Sequence, residues 1–115
     1  TPAELDFIAA KSSAAREIAL AFGVPPMLLG LPGDNTYANY REANRALWRQ
    51  AILPLAGGIL SGLSQGLASW FEGASLSVDI NRVTALAEER QMLWQMAARA
   101  DFLDPAEKRA MVGLS

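Results

Sequence analysis

The chain of 115 residues is 51% hydrophobic and 19% charged, with a formal net charge of -2; this composition belongs to one folded domain with a modest core and shows no basic excess that would advertise nucleic acid. It contains neither cysteine nor histidine, which excludes disulfides, thiolate nucleophiles, the usual zinc sites and the commonest general base. No basic stretch followed by an apolar core opens it and its first residue is not methionine, so the sequence is expected to be an excerpt or processed product of a longer chain.

In residues 1–23 the apolar positions Leu5, Ile8, Ala15, Ala19 and Phe22 recur at threes and fours, with Lys11, Ser12 and Arg16 off that face, and the spacing predicts an amphipathic helix. Gly23 suits the left-handed residue that closes a helix, and Pro25 cannot continue one. Residues 24–39, VPPMLLGLPGDNTYAN, predict a break. Pro25 and Pro26 stiffen the helix exit, Met27 to Leu29 anchor the chain on the core, and a polar excursion follows in which Pro32-Gly33 and Asp34-Asn35 make consecutive bends. LPGD lacks both the GxGxxG and GxxxxGK spacings, so it reads as a turn and not a phosphate cradle.

A long helix is expected over residues 40–72, beginning near Tyr37 or Tyr40, with Pro54 kinking it without ending it. No charged residue lies between Ala51 and Phe71, and Gly58, Gly62 and Gly66 stand four apart, a pattern that raises a membrane span. Against that, Ile52, Leu55, Ile59, Leu63, Leu67 and Trp70 form one stripe, while Gly58, Ser61, Gly62, Gln65 and Ser69 occupy the rest of the surface. Lipid would meet apolar atoms on one side only; a soluble helix whose small residues let neighbours approach closely is preferred.

Residues 75–80 alternate Leu76, Val78 and Ile80 with Ser75, Ser77 and Asp79, which predicts one short strand whose partner comes from elsewhere. Asn81 is expected to cap a helix within residues 82–115, on which Val83, Leu86, Ala87, Arg90, Leu93, Trp94 and Ala97 follow helical spacing. In DPAEKRAMVG, Asp104 is read as an N-cap, Pro105 as the first helical residue, Glu107 as the capping-box partner and Gly113 as the closing residue. The fold class is therefore mainly α with one short strand.

Chemistry is sparse. Glu88 and Glu89 are adjacent on a helix and point about 100° apart, so they do not converge on a substrate. Asp101 and Asp104 flank a helix junction, where capping is the ordinary role. No catalytic residue, metal site or cofactor is assigned. Arg41, Arg45 and Arg49 stand at spacing four beside Tyr37, Asn44 and Trp48; a solvated stripe partly neutralised by Glu42 is preferred over a polyanion site on a net-acidic chain.

The block REIALAFGVPPMLLGLPGDNTYANYREANRALWRQAILPL, residues 16–55, closely resembles the signature region of tailed-bacteriophage portal proteins, of the type also found in gene transfer agents and prophages. The likeness continues through LSVDINRVTALAEERQMLW and ADFLDPAEKRAMVGLS, several blocks in family order and spacing. The resemblance implies a non-enzymatic ring, usually of twelve subunits, at one capsid vertex of the virion, assembled in the host cytoplasm. Through it double-stranded DNA passes without sequence specificity, for packaging, head-tail joining and ejection. Terminase, the major capsid protein and a head-tail adaptor are its implied partners, with no membrane.

On that resemblance residues 1–23 correspond to a stem helix, 24–39 to a tunnel loop region, 40–72 to a long kinked helix crossing the wing, 75–80 to a strand, and 82–115 to wing and crown-proximal helices. Asp34, Asn35, Thr36, Tyr37 and Asn39 become the candidate channel loop; they are polar without being cationic, which suits a surface past which DNA must slide. Arg41, Arg45, Arg49, Gly58 and Gly62 become candidate contacts between subunits or within the wing. Where such portals often carry two acidic residues two apart, this chain has Asp79 and Asn81. Two readings from other classes compete: a small membrane-active helical protein, resting on the uncharged run, and a DNA-binding helical regulator, resting on the arginine stripe.

Overall fold

Residues 1–31 and 37–114 are described in a computed structural model of the chain, for Tyr37 the backbone alone. They are mainly helical and fall into two compact units, Thr1–Val78 and Asp79–Ser115.

The first unit begins with α1, Pro2–Ala21. Thr1 caps it: its hydroxyl oxygen accepts from the Glu4 amide at 3.3 Å, while the Glu4 carboxylate accepts from the Thr1 backbone nitrogen at 2.8 Å. This reciprocal pair satisfies amides that the first turn leaves without helical partners. At the other end Gly23 takes φ +73°, the Val24 amide donates to the Ala19 carbonyl at 2.8 Å and the Gly23 amide to that of Leu20 at 3.0 Å. These two bonds are a Schellman closure, and Pro25 then prevents any continuation, as the sequence predicts. A 3-10 turn, Pro26–Leu29, follows and packs on both α1 and the next helix.

The second helix, α2, runs Tyr37–Leu47, and a π turn over Trp48–Ile52 leads directly into α3, Leu53–Leu67. In the π turn the Leu53 amide donates to the carbonyl of Trp48, five residues back. Pro54 explains why an irregularity sits here: it offers no amide hydrogen, and its ring crowds the carbonyl four residues earlier, so the regular ladder cannot pass through Gln50. The sequence places a kink at Pro54; the helix does continue, with its irregularity in the turn just before the proline. After Leu67 the chain turns through residues 68–73, with Gly73 at φ +76°.

The predicted strand at 75–80 is not formed, and none of the described residues is in a strand. Alternation of side chains is necessary for a strand but does not supply the ladder partner that stabilises one. The Leu76 amide instead donates to the Ser64 hydroxyl at 2.8 Å, and that hydroxyl donates to the Leu60 carbonyl at 2.8 Å, tying the extended segment back to α3.

The second unit opens with two 3-10 turns, Ile80–Arg82 and Thr84–Leu86, and continues as α4, Ala87–Arg99, and α5, Pro105–Met111. The expectation that Asn81 caps a helix is corrected. Asp79 is the cap, its carboxylate accepting from the Asn81 amide at 3.2 Å, and Asn81 lies inside the first 3-10 turn; α4 starts six residues later, at Ala87, without a side-chain cap. The Asp104 reading holds: its carboxylate accepts from the Glu107 amide at 2.8 Å and Pro105 opens α5. Gly113, at φ +83°, closes α5 with Leu114 donating to the Arg109 carbonyl at 2.8 Å and Gly113 to that of Ala110 at 3.1 Å. Val83, Leu86, Ala97 and Val112 form the small core of this unit, with Leu86 wholly enclosed.

Candidate functional site

The arginine stripe rides on α2 and the π turn. Arg41 is exposed in the second turn of α2, Arg45 is half-buried, and Arg49 is exposed within the π turn. A spacing of four keeps them on one side of the rod. Arg45 Nη1 lies 3.4 Å from Glu42 Oε1, three residues earlier on the same helix. Because the Glu42 carboxylate is largely in water, the pair contributes at most about 0.5 kcal/mol.

The candidate loop residues fall on both sides of a boundary. Asp34, Asn35 and Thr36 lie outside the described residues. Tyr37 heads α2, and Asn39 is exposed in its first turn. These last two therefore extend the helix carrying the arginines, two and four residues before Arg41 respectively in reverse order.

On α3 the glycine face is bare. A Cβ built on Gly58, Gly62 or Gly66 would meet nothing within 4 Å, so no packing inside the described chain explains the small residues. The adjacent stripe of Leu55, Ile59 and Leu63 is exposed as well, each residue by more than half of its surface, and so are Leu5 and Ile8 on α1 and Phe22 at its C-cap. Exposed apolar surface of this kind suits contact with other protein, whether of a longer chain or of another chain. No helix among the described residues is long and apolar enough to cross a membrane.

In the second unit, the polar centre is Arg90, 7% exposed. Its Nε donates to Asn81 Oδ1 at 2.9 Å, and its Nη2 donates to the carbonyl of Val112. Trp94 Nε1 donates to the same Asn81 oxygen at 3.3 Å. The guanidinium thus joins a 3-10 turn, α4 and the end of α5, and a Cβ at Gly113 would stand in ordinary contact with it, 3.7 Å from Nη2. The sequence carries a signal for this residue, since Arg90 occupies an apolar position in the helical spacing. Nothing in that spacing names Asn81 and Val112 as its partners. Between α4 and α5 lies a shallow apolar recess of about 240 Å³ floored by Ala97, Val112 and Leu114, with Lys108 and Arg109 at its rim. No group of three or more acidic residues among those described stands close enough to hold a metal ion.

Comparison with known proteins covers nearly the whole chain. The family model described as "Phage portal protein" matches residues 1–113. An uncharacterized protein of Rickettsia bellii (strain RML369-C) is 48% identical over 118 aligned positions, and one of Rickettsia felis (strain ATCC VR-1525 / URRWXCal2) is 47% identical. Each alignment takes in 98% of this chain, which spans 30% of the length of these curated relatives. Among solved structures, a chain in the neck of a native GTA particle computed with C12 symmetry shares 51% identity and a TM-score of 0.74, over 95% of this chain and 31% of that one. A chain in the virion of a native gene transfer agent particle shares 51% identity, at TM-score 0.72, over the same 95% and 31%.

Proposed function

This chain belongs to the phage portal protein family, and from that premise we propose that it is part of a structural ring forming the DNA channel at a unique vertex of a virus-like particle. The observation that carries this reading is the coincidence of a family match over residues 1–113 with 51% identity to chains in a particle neck that was computed with C12 symmetry. The exposed apolar and glycine faces of α1 and α3 support it, because a ring of identical subunits needs a surface on each copy complementary to a different surface on the next. The role is structural, not catalytic. It serves genome packaging, head-tail joining and DNA ejection.

In this reading α1 is a stem helix, the segment ahead of Asn39 faces the channel, and α2 with α3 crosses the wing. Asp34, Asn35, Thr36, Tyr37 and Asn39 present polar, non-cationic groups to passing duplex, which lets DNA slide because no phosphate is held in an ion pair. Arg41, Arg45 and Arg49 make ion pairs within the wing or with the neighbouring subunit, and Gly58 and Gly62 permit close helix approach there. Terminase, the major capsid protein and a head-tail adaptor are the partners of the whole protein. Neither competing class gains support: the apolar run is too short for a span in α3, and the arginines stand on a chain of net charge -2.

Deletion of residues 34–39 in the full-length protein tests the channel assignment. Rings are expected to assemble while the amount of packaged DNA falls at least tenfold. Unchanged packaging in assembled rings would remove this segment from the channel.

A further inference from the structure

We infer that Met92 and Met96 form a modification site on α4, a thioether pair that takes oxygen from a hydroperoxide ahead of the chain's other two methionines. The chain has four methionines, and the structure sorts them into two kinds. Met92 is 64% exposed and Met96 58%. They stand one turn apart on α4, a spacing that sets their Cβ atoms about 6 Å from each other. Met27 and Met111 are half-buried. Met27 lies in the 3-10 turn that packs on both α1 and α2, and Met111 is the last residue of α5, next to the buried Val112.

Helix geometry explains both the access and its consequence. At about 100° per residue, Arg90, Leu93 and Ala97 fall within about 60° of one another, and Met92 and Met96 stand about 130° and 90° from the middle of that face. Arg90 and Ala97 are buried and Leu93 half-buried, so the methionine pair projects away from the packed side. Oxidation of a thioether needs no base and no lowered pKa, because sulfur carries its own lone pair, and access therefore governs the rate. The lone pair attacks one peroxide oxygen. An S–O bond forms while the O–O bond breaks, and the proton on the transferred oxygen passes to the departing hydroxide, giving water when the oxidant is hydrogen peroxide. Sulfur loses two electrons and the peroxide gains two. The sulfoxide produced is polar. On Met92 and Met96 it faces water and leaves the core of Val83, Leu86, Ala97 and Val112 undisturbed; on Met27 or Met111 it would set a dipole among packed apolar groups. The exposed pair thus reduces peroxide while the fold is kept.

Hydrogen peroxide titrated onto the full-length protein tests this, read by peptide mass spectrometry and by thermal melting. Gains of about 16 Da are expected at Met92 and Met96 at least about fivefold faster than at Met27 and Met111. The melting temperature should stay within about 3 °C of the untreated protein until the slower pair reacts. A double variant, Met92→Leu with Met96→Leu, keeps the apolar bulk; it should melt like the parent and lose the fast uptake over these residues. Reaction of Met27 or Met111 first or at an equal rate would overturn the inference. So would resistance of Met92 and Met96 to peroxide in the full-length protein, or a larger fall in melting temperature when they alone are oxidised.

Discussion

Replacing Arg90 by methionine removes the one buried charged side chain among the described residues of the second unit while keeping much of its apolar length. Two bonds disappear, from Nε to Asn81 Oδ1 at 2.9 Å and from Nη2 to the Val112 carbonyl. Bonds from a charged donor contribute about 1.5–3 kcal/mol each, a gross loss of about 3–6 kcal/mol. Part of this is offset because a guanidinium no longer has to be held out of water, and Asn81 keeps its bond from Trp94. The net expectation is about 2–4 kcal/mol of local stability. The loss falls on the attachment of α5 to α4, because the Val112 carbonyl lies just past the end of α5. Hydrogen exchange on the full-length protein reads this directly. Amides of residues 106–114 should exchange about 30-fold to 800-fold faster, which is the same range expressed as a local opening constant. A double-mutant cycle with Asn81→Ala should return a coupling of about 1–2 kcal/mol. Protection within a factor of three of the parent would refute the reasoning and make Arg90 a buried but energetically idle residue.

Three further expectations follow from named contacts. Asp104→Ala removes the acceptor for the Glu107 amide and should weaken the first turn of α5 by about 1 kcal/mol, seen as roughly fivefold faster exchange at Glu107 and Lys108; Asp104→Asn should restore most of it. Gly23→Ala places a side chain at φ +73° with Ala51 Cβ 3.5 Å away; the left-handed conformation alone should cost about 1–2 kcal/mol, read as a lower melting temperature, whereas the same change at Gly57, in a helix with open space around it, should be neutral or stabilising. Arg45→Glu reverses one charge in the stripe and sets it beside Glu42; it should impair ring assembly measured by sedimentation, and normal rings with a packaging defect would instead assign the stripe to DNA.

What was legible in the sequence is what depends on residues close together in the chain. Gly23 followed by Pro25 ends α1, Asp104 and Pro105 begin α5, and Gly113 ends it, because caps and breakers act through the nearest few peptide groups. The failures share the opposite cause. The 75–80 alternation predicts a strand, but a strand exists only with a neighbour, and here the Leu76 amide goes to the Ser64 hydroxyl, twelve residues back. Asn81 suits a helix cap by residue type, yet its side chain is taken by Arg90 and Trp94, nine and thirteen residues on, while Asp79 caps the turn. The π turn has only Pro54 as its local sign. Of the residues that the stripe and the small-residue spacing single out, Arg41, Arg49, Gly58 and Gly62 are exposed and Arg45 is half-buried; Arg90 stands in the helical spacing without its partners being readable.

Electron microscopy of the full-length protein, viewed down the particle axis, is the most direct measurement. A closed ring with a central opening wide enough for duplex DNA, about 20 Å, and α2 directed toward that opening is the expected result, in keeping with cyclic symmetry built from head-to-tail contacts. Monomers, open filaments, or closed particles without an axial passage would contradict the assignment of this chain to a DNA channel.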